Sequence, residues 1–125
     1  MRKEKTELQK LLDSVHLYDS EVALILVNIE SLKRMGFIDT SEHIRQLDEK
    51  IKRLQAEKLT VSRAIERIPD IVARMIFNAR YNLGYTWDEV TTKAVKMSNR
   101  NAITIHNKSM PEFEKILLEE LAKDG

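Results

Sequence analysis

Between Ser98 and Lys108 the chain places Asn99, Arg100, Asn101, Thr104, Asn107 and Lys108, with no acidic residue among them. At helical spacing these side chains share one face, and Ala102, Ile105 and Ser109 line the opposite one. An arginine can bind guanine through two hydrogen bonds and an asparagine can do the same with adenine, whereas lysine and threonine suit the phosphate backbone. Asparagine is a mediocre helix former, so three of them on one polar face suggest a use for their amides. Arg74, Arg80 and Lys93 are placed to hold phosphates beside the same groove, with an affinity that salt would weaken. The ligand this chemistry implies is double-stranded DNA, read from the major groove by a helix at about 98–109.

The charge distribution agrees. The net charge of the 125-residue chain is only +1. Residues 1–68 hold 13 basic and 12 acidic side chains, residues 69–110 hold 6 and 3, and residues 111–125 hold 2 and 5. Only the middle block is basic, as a DNA-reading module inside a neutral protein would be.

Other chemistries find no support. There is no cysteine, hence no thiolate nucleophile, thiolate metal site or disulfide. Asp13, His16, Glu21 and His43 lack the spacing of metal ligands on one helical face and read as helix decoration. No glycine-rich phosphate loop or acid/base pair stands out, so neither an enzyme, a cofactor nor a metal is expected. The N-terminal MRKEKTELQK lacks the apolar run of a signal peptide, and the longest strongly apolar stretch, Val22–Val27, is far too short to span a membrane. A cytoplasmic protein without membrane contact is the expectation.

The elements that must carry these residues are helices, because charged residues make up 33% of the chain and aromatics 6%, with three glycines and two prolines. The expected fold class is all-α: a long antiparallel, coiled-coil-like hairpin over residues 1–68, then a helix-turn-helix bundle with a C-terminal amphipathic helix over residues 69–125. The first stripe runs Leu8, Leu11, Val15, Tyr18, Val22, Ile25, Ile29, Leu32 on one helix that ends at Gly36, a C′ candidate. The second runs Ile44, Leu47, Ile51, Leu54, Lys58, Val61, Ile65, Ile68, with Lys58 as a structural seam lysine. A third helix starts near Pro69, buries Ile71, Val72, Met75, Ile76, Ala79 and Leu83, and ends at Gly84. Thr86 and Glu89 have the spacing of a capping box that opens a fourth helix at Trp87, and Ser98 caps the last. Tyr81, Trp87 and His106 read as packing residues.

The run Ala79-Arg80-Tyr81-Asn82-Leu83-Gly84-Tyr85-Thr86-Trp87-Asp88-Glu89-Val90, then Ser98 and Ile105-His106, resembles the C-terminal helix-turn-helix of phage and prophage regulators of the ArpU and RinA type. These are similar to region 4 of bacterial sigma factors. The resemblance covers about residues 66–117 and implies a phage-encoded transcriptional regulator of late or packaging genes, with Ser98–Ser109 as the reading helix. The chain departs from the pattern at Thr91, where a small alanine is usual, at Lys96, in place of a turn glycine, and at Pro111, which is expected to kink or end the reading helix near Met110. The partners expected are double-stranded DNA, RNA polymerase and a second copy joined through the hairpin. The alternative function is a protein-interaction module that binds RNA polymerase or a packaging component through the hairpin stripes.

Overall fold

The computed structural model describes residues 6–124. Every element among them is helical. Helix α1 (Glu7–Ser14) starts at Thr6, whose side chain accepts a hydrogen bond from the Gln9 amide. A single 3₁₀ turn, Val15–Leu17, then leads into α2 (Tyr18–Lys33). The single long helix expected here is therefore broken. Tightening at the 3₁₀ turn rotates the apolar face, so that Leu12 and Val15 are fully buried while Leu8 and Leu11 are only half-buried.

Helix α2 ends at Lys33, and its last carbonyls are met by the tightened turn in which Arg34 and Met35 donate back to Ser31 and Leu32. Gly36 lies beyond the end and does not take the left-handed conformation, correcting its expected capping role. Helix α3 (Ser41–Glu66) returns antiparallel to α2. Ile25 and Ile29 meet Ile51 and Leu54 in the seam, flanked by Tyr18, Val22, Ile44 and Leu47. Polar contacts pin the register: Tyr18 donates to Glu57 at 2.7 Å, Lys50 pairs with Glu21 at 3.0 Å, and Lys58 pairs with Asp19. Lys58 thus has the structural role its seam position suggested. Glu21, expected as decoration, is a bridge.

Pro69 separates α3 from α4 (Ile71–Phe77) but is not the first helical residue, because Asp70 is the cap and accepts from the Ala73 amide at 2.8 Å. After Phe77 the helix widens into a π turn, Asn78–Asn82. Phe77 and Tyr81, four positions apart, are both buried, with Ala73, Ile76 and Ala79. Ile71, Met75 and Leu83, expected on the buried face, are 61%, 42% and 54% exposed: α4 buries the face of Ala73, Ile76 and Phe77, and Ile71 and Met75 lie on its other side.

Gly84 closes this element at φ +69°, and the Tyr85 amide reaches back to the Ala79 carbonyl. A Cβ on Gly84 would lie 2.4 Å from the His16 ring, so His16 is a packing partner of this turn and not surface decoration. The Thr86/Glu89 capping box is formed and opens α5 (Trp87–Glu89), which widens into a second π turn, Val90–Ala94. Val95 is extended, and Ser98 then accepts from the Asn101 amide at the start of α6 (Asn99–Asp124).

Helix α6 runs through Pro111 without a break into a separate helix. An interior proline costs about 3 kcal/mol by losing one hydrogen bond and crowding the preceding turn. Pro111 and Asn107, the residue whose carbonyl loses its partner, are both exposed, and burial of Phe113, Ile116 and Leu117 offsets the cost. Arg67 binds Glu119 at 2.8 Å and Glu120 at 2.9 Å, which fixes the far end of α6 to the end of α3. Lys123 and Arg67 together hold the Glu120 carboxyl below its ordinary value. The main core joins Leu12, Val15, Val61, Ile65, Phe77, Phe113 and Leu117, so packing crosses the 68/69 division. Among the described residues no helix is long and apolar enough to cross a membrane.

The two internal glycines should respond differently to alanine. Gly84→Ala places a Cβ in the left-handed region, at about 1–2 kcal/mol, and also drives it into His16. Gly36→Ala meets open space and should change stability by less than about 0.5 kcal/mol. Denaturant unfolding monitored by circular dichroism checks both, and equal effects would contradict the distinct roles assigned to them.

Candidate nucleic-acid interface

The first three turns of α6 cross the end of α5 over a small core of Ile76, Ala79, Val90, Val95 and Ala102, with Val72, Trp87, Met97 and Ile105 at its margin. The π turn after α5 and the extended Val95 make the connection that redirects the chain from α5 into α6. Lys96 is exposed there with ordinary backbone geometry, so this turn requires no glycine. Helix, tight connection and second helix, backed by α4, form a helix-turn-helix arrangement.

Asn99 is held within the protein. Its amide nitrogen donates to Asp88 at 2.6 Å, and its amide oxygen accepts from the Thr91 hydroxyl at 2.5 Å. Both hydrogen-bonding ends of the side chain are used, so Asn99 fixes the angle between α5 and α6. Thr91, placed where a smaller residue was the pattern, is a direct part of that crossing. Nothing in the local spacing reveals the Asp88–Asn99 contact, because it joins residues 11 positions apart across the turn.

Arg80 also turns inward. Its guanidinium lies over the Trp87 ring at 4.7 Å and donates to the Tyr85 carbonyl at 2.8 Å. Its Nε is buried without a hydrogen-bond partner among the described residues. The expected phosphate clamp at Arg80 is therefore a strut between the π turn and the capping box. Lys93 is exposed; it pairs with Glu89 at 3.4 Å and lies 5.4 Å from the centre of the Tyr85 ring.

On the outer face Arg100, Asn101, Thr104, Asn107 and Lys108 are all exposed. The Thr104 hydroxyl donates to the Arg100 carbonyl, which turns it along its own helix. The side chains of Arg100, Asn101 and Lys108 have no hydrogen-bond partner among the described residues. The result is a strip of donors and acceptors about two turns long, containing two cations and no acid.

The strip is anchored from beneath by an aromatic cluster. Phe77 stacks on His106 at 4.9 Å and meets Phe113 at 4.8 Å, and the Trp87 ring meets His106 edge-on at 5.3 Å. Tyr81 lies parallel to Phe113 at 6.5 Å, and its hydroxyl is 2.5 Å from His106 Nε2. His106 Nδ1 is 2.9 Å from the Asn107 side-chain oxygen. Neutral His106 with its proton on Nδ1 satisfies both contacts, donating to Asn107 and accepting from Tyr81. Burial pushes Tyr81 up to about 12, which keeps it a donor, and burial followed by the nearby Arg80 charge pushes His106 below its ordinary value. Tyr81, Trp87 and His106 are packing residues, as their positions suggested. No known protein family, curated protein or solved structure matches the chain.

The His106 environment sets a pH dependence. The unfolded chain protonates this histidine near its ordinary value of 6.5, whereas the folded chain resists until lower pH. Protons therefore favour unfolding in that interval, and stability should fall as pH drops below about 6.5. Thermal unfolding between pH 7.5 and 5.5 should show this fall in the parent chain and a flatter dependence in His106→Gln, whatever its absolute stability. Parallel curves would contradict the assignment.

Proposed function

We propose that the chain is a sequence-specific DNA-binding transcriptional regulator that reads the major groove with the first three turns of α6. The observation that carries this reading is the exposed, acid-free strip of Arg100, Asn101, Thr104, Asn107 and Lys108 on a helix whose entry angle is locked by Asn99, Asp88 and Thr91. Arg100 and Asn101 are suited to base edges, and Thr104, Lys108 and Lys93 to phosphates. Asn99 contributes by positioning. The resemblance of residues 79–106 to phage and prophage regulators of the ArpU and RinA type supports placing the activity in transcription control, with phage or prophage origin.

A held helix also explains why a short strip can discriminate. Side chains on an element that does not move on binding lose little freedom beyond their own rotamers, so more of each contact remains as affinity. A wrong base then leaves a pre-placed donor or acceptor unpaired.

Replacing Arg100 by alanine should cost about 1–3 kcal/mol on the preferred site, a loss of roughly 5- to 150-fold, with an unchanged circular dichroism spectrum. Lys108→Ala should instead weaken binding to all duplexes alike and make the salt dependence shallower. Mobility-shift titrations at two salt concentrations measure both. Undiminished specific binding by Arg100→Ala would overturn the assignment of α6 as reader.

A further inference from the structure

Helix α2 carries two apolar stripes, and only one of them is used. The inner stripe of Tyr18, Val22, Ile25 and Ile29 is consumed by α3 of the same chain. On the other side, Leu17, Ser20, Leu24, Val27, Ser31 and Arg34 follow at steps of 3, 4, 3, 4 and 3 residues, and all six are exposed. Leu24 and Val27, at the middle, are 66% and 65% exposed. Met35, Phe37 and Ile38 add exposed apolar side chains at the hairpin tip. Large exposed apolar side chains grouped on one side of a helix in this way mark an interaction surface.

From its order and its charge, we infer that this face pairs antiparallel with the same face of a second copy, about a two-fold axis between Ile25 and Leu26. In an antiparallel helix pair each seam position meets the complementary seam position of the other chain. About that axis Leu24 meets Val27 of the second copy, Ser20 meets Ser31, and Leu17 meets Arg34. The stripe is thus its own complement: two Leu–Val contacts at the centre, two Ser–Ser contacts that permit close approach, and a leucine under an arginine stem at each end.

Charge selects the same orientation. Asp19 and Glu21 lie in the first turn of α2, while Lys33 and Arg34 lie at its end. Arg34 has no ion-pair partner among the described residues. Antiparallel pairing opposes the helix dipoles and sets Arg34 of each copy beside the first turn of the other's α2, where Asp19 and Glu21 bridge to Lys58 and Lys50. Parallel pairing would set Arg34 against Arg34 and both acidic turns side by side. The inner stripes cannot supply such an interface without opening the hairpin. The surface lies apart from the reading strip, so the inference does not depend on DNA binding.

Sedimentation equilibrium of the full chain should give a concentration-dependent approach to twice the 14.6 kDa chain mass. Leu24→Lys with Val27→Lys should return the chain to one mass unit with unchanged helicity. A parent chain that stays monomeric at high micromolar concentration overturns the inference, as does a double variant that still dimerises. Because the chain has no cysteine, orientation is read directly by disulfide trapping. A mixture of Ser20→Cys and Ser31→Cys chains should yield the mixed cross-linked dimer, with little self-linking of either alone. Efficient self-linking of Ser31→Cys would overturn the antiparallel arrangement.

Discussion

Helix α6 is shared between the polar strip and the main core, and that sharing constrains the rest of the molecule. Its first turns present Arg100 through Lys108 to solvent, and the turns that follow bury Phe113, Ile116 and Leu117 against α3. Where the two parts meet, Phe77, Tyr81 and His106 close over one side of the helix. The strip cannot tilt without disturbing a fully buried phenylalanine at either end of this cluster. Pro111 sits at the changeover, on the exposed side, where the lost hydrogen bond leaves a carbonyl that water can reach.

The two π turns serve the same constraint. The first π turn carries Tyr81, which packs with Phe77 four positions earlier, and this aromatic pair supports α6. At the second π turn the chain gains the room to bring Thr91 and Asp88 under Asn99. Polar residues that look like surface chemistry, Asn99 and Arg80 among them, are thereby spent on geometry. The free strip is narrower than the sequence pattern implied, and it is held more firmly.

What the sequence made legible were features set within one or two turns: the α3 stripe, the hairpin, the Thr86/Glu89 box, the Ser98 cap and the inward placement of Ala102. These depend on spacing alone. The features it hid depend on contacts between distant segments. Gly36 and Gly84 look alike as helix ends, but only Gly84 must accommodate another side chain, that of His16. The 3₁₀ turn at Val15 and both π turns are tertiary adjustments that no propensity announces. Pro111 follows a sound local rule that the burial of its neighbours overrides. The outer stripe of α2 has the same heptad spacing as the inner one but polar residues at Ser20, Ser31 and Arg34, so that spacing alone marks one stripe and the fold reveals the second.

Sequence-specific reading by α6 is tested most directly by selecting binding sites from a random duplex library with the full chain. One enriched motif, absent from a parallel selection with Arg100→Ala, is the expected result. Recovery at low salt of sequences indistinguishable from the starting library would contradict it.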